Sequence, residues 1–446
     1  MSVRARSGVL LLVLAVVLSG CASARPRGER EVPVRTVLDN GVVVVAQEHR
    51  ASEVVALQLW VKVGGRDEAP PELGLSHYLE HMLFKGTPTR PPGSIDVMIE
   101  GLGGQSNAYT SYDYTHYDVV LPAEHLRAGI ELLADIAVNA AFVPEELDGE
   151  KKVVFEEMRL TEDNPEKYIL RRLYELGYAP HPYGRVILGT EPLIQALDRA
   201  KLNAYYKKHY VPRNFVLVAV GAVSPSSVRA IAAETFGRLT GGAPERALVP
   251  PLVPVARGDR HVDVPRNEQQ AYLGLAWRGV PTSHPDVYAV DLLNYVLGGD
   301  SPNTPSSRLF QLVRDRVVSS IESGYGAWER AGLVTINARL DAPNLARAES
   351  AIVGIIRRVR DQGVTEEERQ RAIVTAEAAY AFDIETAEGL AKTYGQAETT
   401  WSLDDEVAYL GRLHNVTAAD IQAAARKYFA DDNYAIVRFV PQGGRR

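Results

Sequence analysis

The chain of 446 residues contains a single cysteine, Cys21, so no disulfide can close within it and no cysteine can join a metal site. It also lacks a long apolar run. The longest, Gly8 to Leu18, is about eleven residues, well short of the roughly 20 that cross a bilayer as a helix. Basic residues are outnumbered, with 49 Lys and Arg against 56 Asp and Glu and a formal charge of −7. Binding to nucleic acid calls for a basic surface, so it is excluded as the main role. No low-complexity tract interrupts a composition that is 46% hydrophobic and 24% charged, as in globular proteins. The length exceeds one ordinary core and suits two domains of about 200 residues each.

The most informative stretch is Leu75-Ser76-His77-Tyr78-Leu79-Glu80-His81. Two histidines four apart lie on one helical face, about a turn from each other, so their imidazoles can converge on one cation. Glu80 projects beside them, where a carboxylate can take a proton from water. The pattern is H-x-x-E-H, the reverse of the commoner H-E-x-x-H. Read alone, it is also compatible with two surface histidines beside a glutamate.

A second helical run, Glu150 to Arg159, places Glu150 and Glu157 on one face two turns apart. Glu156 is rotated by about 100° from Glu157 and points elsewhere. Glu157 can complete a His2Glu set that leaves a fourth zinc position open, and Glu150 can orient a ligand histidine from behind. A solvated acidic face is the alternative for these residues.

Together, His77, Glu80, His81, Glu150 and Glu157 resemble the pitrilysin-like (inverzincin, M16-type) zinc peptidases. Further landmarks in order are Leu38 to Val42, Val61 to Glu68, Leu83-Phe84-Lys85-Gly86-Thr87, Gly103 to Ser111 and Tyr210-Val211-Pro212-Arg213-Asn214. They resemble the mitochondrial-processing-peptidase-like branch and extend over nearly the whole chain after residue 31. The resemblance implies one Zn2+ held by His77, His81 and Glu157, with Glu80 as catalytic base and Glu150 supporting a ligand. It also implies that the strand around Asn107, Ala108 and Tyr109 binds a peptide as an added β-strand. For Asn107 a turn after Gly103-Gly104 is the alternative. The four tyrosines at 109, 112, 114 and 117 are explained as well by strand propensity as by substrate contact.

Long-range self-similarity points to two related halves. Asp198 to Val218 reads as helix, polar turn and β-rich run, and Ala418 to Val437 repeats that shape. The expected fold is α+β, two similar sheet-plus-helix domains arranged like a clam shell. They span 32–238 and 259–446 and are joined by a Gly/Pro-rich linker at 239–258. The second half has no zinc ligands. Where many relatives place an arginine–tyrosine pair on the substrate carbonyl, Val317-Val318-Ser319-Ser320-Ile321 puts a serine, and Tyr325 falls out of register. The resemblance therefore implies a homologous partner subunit, or a second copy, that supplies the clamp.

Residues 1–21 read as a targeting segment: Arg4 and Arg6, a short apolar stretch, then Leu18-Ser19-Gly20-Cys21. That ending resembles the bacterial lipobox and makes Cys21 the expected lipid attachment. Residues 22–31 become a polar tether. The expected location is the cell envelope, membrane-anchored and facing the periplasm, on the outer membrane rather than the inner because Ala22 follows the cysteine.

Overall fold

The computed structural model describes residues 32–244, 249, 260–266, 269–299 and 303–441. Cys21, the tether and most of the expected linker lie outside them. No helix among the described residues is long and apolar enough to cross a membrane.

Eleven strands are described: β1 Val34–Val37, β2 Val43–Glu48, β3 Val54–Val61, β4 Gln105–Thr110, β5 Thr115–Pro122, β6 Phe215–Gly221, β7 His261–Arg266, β8 Ala271–Gly279, β9 Ser320–Ala327, β10 Gly332–Leu340 and β11 Tyr434–Pro441. In the first half the helices are α1 Leu75–Leu83, α2 Ser94–Gly101, α3 Leu126–Asn139, α4 Pro144–Asp163, α5 Pro165–Tyr178, α6 Glu191–Gln195, α7 Arg199–His209 and α8 Pro225–Glu234. In the second they are α9 Val287–Leu297, α10 Gln311–Arg314, α11 Leu345–Gln362, α12 Glu366–Asp383, α13 Ala387–Thr400, α14 Leu403–His414 and α15 Ala418–Tyr428.

The internal repeat is visible in the strand order. The first sheet runs β1-β2-β6-β3-β5-β4 and the second β7-β11-β8-β10-β9. Apart from the extra β1, the two match strand for strand. The pair β2–β6 is parallel, as is β7–β11, and the remaining matched pairs are antiparallel. Fold and class are thus α+β with two similar halves.

The central strands are apolar on both faces, so each sheet needs two covering layers. In β3, Val55, Leu57, Leu59 and Val61 join a core roofed by helices of the same half, whereas Ala56 and Trp60 face the other way. That second face is covered by α13, which inserts Leu390 and Tyr394, and by Leu403 beyond it. The exchange is reciprocal: α5 of the first half lays Ile169 and Leu173 on Ala276, Leu333 and Val437 of the second sheet. The break that releases α5 is local. Asn164 precedes Pro165, and its side chain accepts from the N–H groups of Glu166 and Lys167, both at 3.0 Å, ending one helix and capping the next.

Both crossings depend on a glycine. A Cβ on Gly395 would stand 2.0 Å from the Trp60 ring, and one on Gly274 would stand 2.5 Å from Ile169. Each fully buried Leu, Ile or aromatic side chain contributes about 1.5–3 kcal/mol. The five large side chains exchanged thus contribute on the order of 10 kcal/mol, comparable to the net stability of a whole domain. The physical consequence is that the two halves are two units of topology but one unit of packing: the described residues from Val34 onward belong to a single compact body.

Polar contacts lock the same junction. The Arg66 guanidinium, 2% exposed, lies 2.9 Å from Asp113 and also pairs with Glu329 of the β9–β10 turn. The Glu329 N–H donates to Asp113 at 2.8 Å, and the Arg330 N–H to the Tyr183 hydroxyl at 3.1 Å.

Candidate metal centre

Helix α1 begins at Gly74, whose φ of 93° is open to glycine without strain. Its first N–H groups are satisfied from a distance in sequence. The Glu68 carboxylate accepts from Gly74 N–H at 2.9 Å and Ser76 N–H at 2.7 Å. Glu68 is 1% exposed, and burial pushes its carboxyl up to about 8 despite those bonds. The far side of α1 is seated by Tyr78, fully buried, whose hydroxyl donates to the Leu147 carbonyl of α4. Helices α1 and α4 are thereby fixed against each other, which sets where their polar side chains meet.

They meet at His77, His81 and Glu157. The Nε2 atoms of His77 and His81 lie 3.4 and 3.6 Å from one Glu157 oxygen. A tetrahedral zinc with bonds of about 2.0–2.1 Å separates its ligand atoms by about 3.4 Å. The two His–Glu157 separations match that ion, the three donors lie within 4.8 Å of one another, and they are the one cluster of this kind among the described residues. The Glu157 side chain remains 37% exposed, so the site opens to one side.

The supporting bonds differ between the histidines. His81 Nδ1 donates to Glu150 at 2.9 Å, which turns Nε2 toward Glu157, and Lys85 holds the other Glu150 oxygen at 2.7 Å. Burial opposes a charge on His81, but the bonds to Glu150 and Glu157 outweigh it and bring the imidazole up to about 9. His77 is driven the other way, to about 4, by burial and by the neighbouring His81. The hydrogen bond with His81 leads the effects that hold Glu150 and Glu157 below the usual carboxylate range. Both are therefore anions ready to accept a cation.

Glu80 is not one of the three donors, but its charge acts on the neighbouring His81. Its carboxylate accepts from Thr110 Oγ1 at 2.5 Å, and burial is the chief reason its pKa is raised. Glu156 points outward and pairs with Arg159. Strand β4 forms the sheet edge next to α1 and pairs with β5 alone. Asn107 is exposed, Tyr109 is 51% exposed, and Ala108 packs into the first core. Of the other aromatics nearby, Tyr112 and Tyr114, in the turn between β4 and β5, and Tyr117, within β5, are all buried and serve packing. His116 is a core residue, held by Asp118 at 2.8 Å and stacked on Trp60.

The motif-based reading missed three contributors: Glu68, Thr110 and Lys85. Only Lys85, a short way past the second histidine, carried a positional signal. Glu68 and Thr110 act across loops whose closure no spacing reveals.

A His2Glu triad beside a half-buried carboxylate, on one half of a duplicated sheet-and-helix fold, defines a candidate metal centre in a two-domain α+β protein. Residues 43–191 match the family model described as insulinase (peptidase family M16), and 196–374 match the M16 inactive domain. The first segment contains every residue of the site. The chain is 30% identical over 414 residues to the uncharacterized zinc protease YmxG of Bacillus subtilis, covering 92% of this chain and 98% of that protein. It is 28% identical to the uncharacterized zinc protease Mb2805c of Mycobacterium bovis, covering 93% and 94%. A protease from Helicobacter pylori superposes with a TM-score of 0.85 at 24% identity, covering 93% of this chain and 100% of that one, which shows the shared fold. The chain belongs to peptidase family M16.

Proposed function

We propose that the chain is a zinc-dependent endopeptidase that hydrolyses peptides or short unfolded segments at the cell envelope, together with a related partner subunit. The observation that carries this reading is the convergence of His77, His81 and Glu157 at zinc-ligand separations with Glu80 alongside. Bound there, zinc would supply a Lewis acid that acidifies a water and polarises a carbonyl. The residues do the rest. Glu80, with its proton affinity raised by burial, takes a proton from the attacking water and passes it to the leaving amine. Thr110 fixes the orientation of that carboxylate. The open edge of β4 aligns the peptide through main-chain hydrogen bonds, with Asn107 and Tyr109 facing its side chains.

The partner is inferred from how the second half uses its own residues. Arg308 is bound to Glu368 at 2.7 Å and to the Gly363 carbonyl at 3.0 Å, and the Tyr325 hydroxyl donates to the Val280 carbonyl at 2.8 Å. Neither is turned toward a substrate carbonyl. A homologous subunit or second copy would supply that arginine–tyrosine clamp. The Leu18-Ser19-Gly20-Cys21 segment supports a lipid anchor at Cys21, on the periplasmic side and at the outer membrane.

The same engaged Arg308 and Tyr325 favour a second reading, a zinc-containing binding or assembly subunit with little turnover. One experiment separates the two. Zinc-loaded protein, alone and with a clamp-bearing homologue, is assayed on a mixed peptide library with Glu80→Gln as control. Turnover that vanishes in the variant while its zinc stays bound supports the peptidase. Absence of turnover even with the homologue supports the assembly subunit, and absence of bound zinc overturns both.

A further inference from the structure

In the second half, α9 follows β8 as α1 follows β3, β9 forms the sheet edge as β4 does, and α12 stands where α4 stands. The place that corresponds to the metal centre is a cavity of about 330 Å³, lined by residues of α9, β9, α12, α13 and α14. Its walls have a distinct chemistry. Tyr409 is the hub of an aromatic group, with ring centroids 5.7 Å from Tyr380, 6.0 Å from Tyr288 and 6.3 Å from Trp401. Three carboxylates, Asp291, Asp383 and Glu406, share the lining with these rings. No lysine, arginine or histidine among the described residues lines it. Arg412, which touches the lining residue Tyr288 through its hydroxyl at 2.8 Å, is not part of the lining and pairs with Asp405 at 2.6 Å.

A void left by imperfect packing is lined by apolar side chains, and this one is not. Aromatic faces carry negative potential, and carboxylates add formal negative charge. A roomy pocket combining both is complementary to an organic cation, through cation–π attraction and charge-assisted hydrogen bonds. An anionic ligand would meet like charge there.

We infer that this cavity is a binding site for a basic side chain, the guanidinium of arginine or the ammonium of lysine, at the second-half counterpart of the metal centre. That the basic group belongs to a peptide rests on the peptidase reading. The affinity for the cation itself does not, so the test reads binding rather than hydrolysis.

Calorimetric titration of the full chain compares Nα-acetyl-arginine amide with its neutral isostere Nα-acetyl-citrulline amide. The expected result is saturable binding of the arginine compound and at least tenfold weaker binding of citrulline. Asp291→Asn combined with Asp383→Asn should weaken the arginine compound at least tenfold and leave the citrulline compound unchanged. Asp383 is exposed, so Asp383→Asn alone keeps the test valid should the double variant fail to fold. Absence of saturable binding, equal affinity for the two compounds, or an arginine affinity untouched by both variants would overturn the proposal. Loss of peptide hydrolysis in Glu80→Gln has no bearing on the result, so failure of the peptidase reading and failure of this one remain distinguishable.

Discussion

Helices α1 and α9 occupy the same place in two copies of one topology, yet only α1 carries metal-ligand chemistry. Helix α1 presents His77 and His81 toward α4 and Glu80 toward β4. Helix α9 reads Val-Tyr-Ala-Val-Asp-Leu-Leu-Asn-Tyr-Val-Leu, and its Asp291 and Tyr295 face a cavity bounded by tyrosines. The strand order around both is the same, so the sheet cannot be what makes a metal centre. A few side chains on one helix, and the distant groups that hold them, make the difference. Duplication supplied two equivalent scaffolds, and they hold different side-chain chemistry.

The largest effects should come from erasing that difference. His81→Leu gives α1 the apolar character of α9, and zinc affinity should fall at least a thousandfold while the fold persists. Competition with a chelator of known affinity measures it, and a drop under tenfold would remove His81 from the ligand set. Nearly as large is the effect of cutting the junction between the halves. Arg66→Met leaves Asp113 and Asp67 buried without their cation, which should cost about 3–5 kcal/mol in urea unfolding. Survival of full stability would mean that the halves are held by the exchanged helices alone.

A smaller loss is expected from Glu68→Ala, which removes the cap of α1. Stability should drop by about 2 kcal/mol, because the Gly74 and Ser76 N–H groups lose a carboxylate acceptor. Zinc should bind about tenfold more weakly as His77 and His81 lose their anchor, whereas the cavity in the second half should be unaffected. Equal loss at both places would show a global defect instead of a local one.

The smallest effect is acid-dependent. His181 is 3% exposed, and burial, then Arg278, Arg66 and Arg185, press its imidazole down to about 4. Its folded pKa is below its unfolded value, so the unfolded chain takes the proton first. The associated stability is complete above about pH 6.5 and is lost as pH falls toward 4. Between pH 7 and pH 5 the loss should be about 1–2 kcal/mol. His181→Asn, which keeps an acceptor for the Tyr183 N–H, should flatten that part of the stability curve. An unchanged slope would assign the acid sensitivity to other groups.

Much of the architecture was legible in the residues. The recurring helix–turn–strand shape at Asn214 and Asn433 announced the duplication, and the structure gives those segments equivalent positions before β6 and β11. His77 with His81, and Glu150 with Glu157, could each be placed on one face because helical spacing is local geometry, and the family resemblance joined the two helices into one candidate site. The exchange of α5 and α13 was not legible. Both are ordinary amphipathic helices, and nothing in an apolar stripe states which sheet it will cover.

Sequence alone therefore determined the elements and their duplication, which follow from periodicity and punctuation within short windows. The resemblance of its motifs to a known family singled out His77, His81 and Glu157 as candidate metal ligands. The tertiary structure decided the rest. It brought Glu157 to within 3.6 Å of both imidazoles, placed Glu68 under α1, and turned two topological domains into one packed body. Those outcomes depend on contacts between residues tens to hundreds of positions apart. Such contacts form only when sheets that are apolar on both faces find a second layer to exclude water.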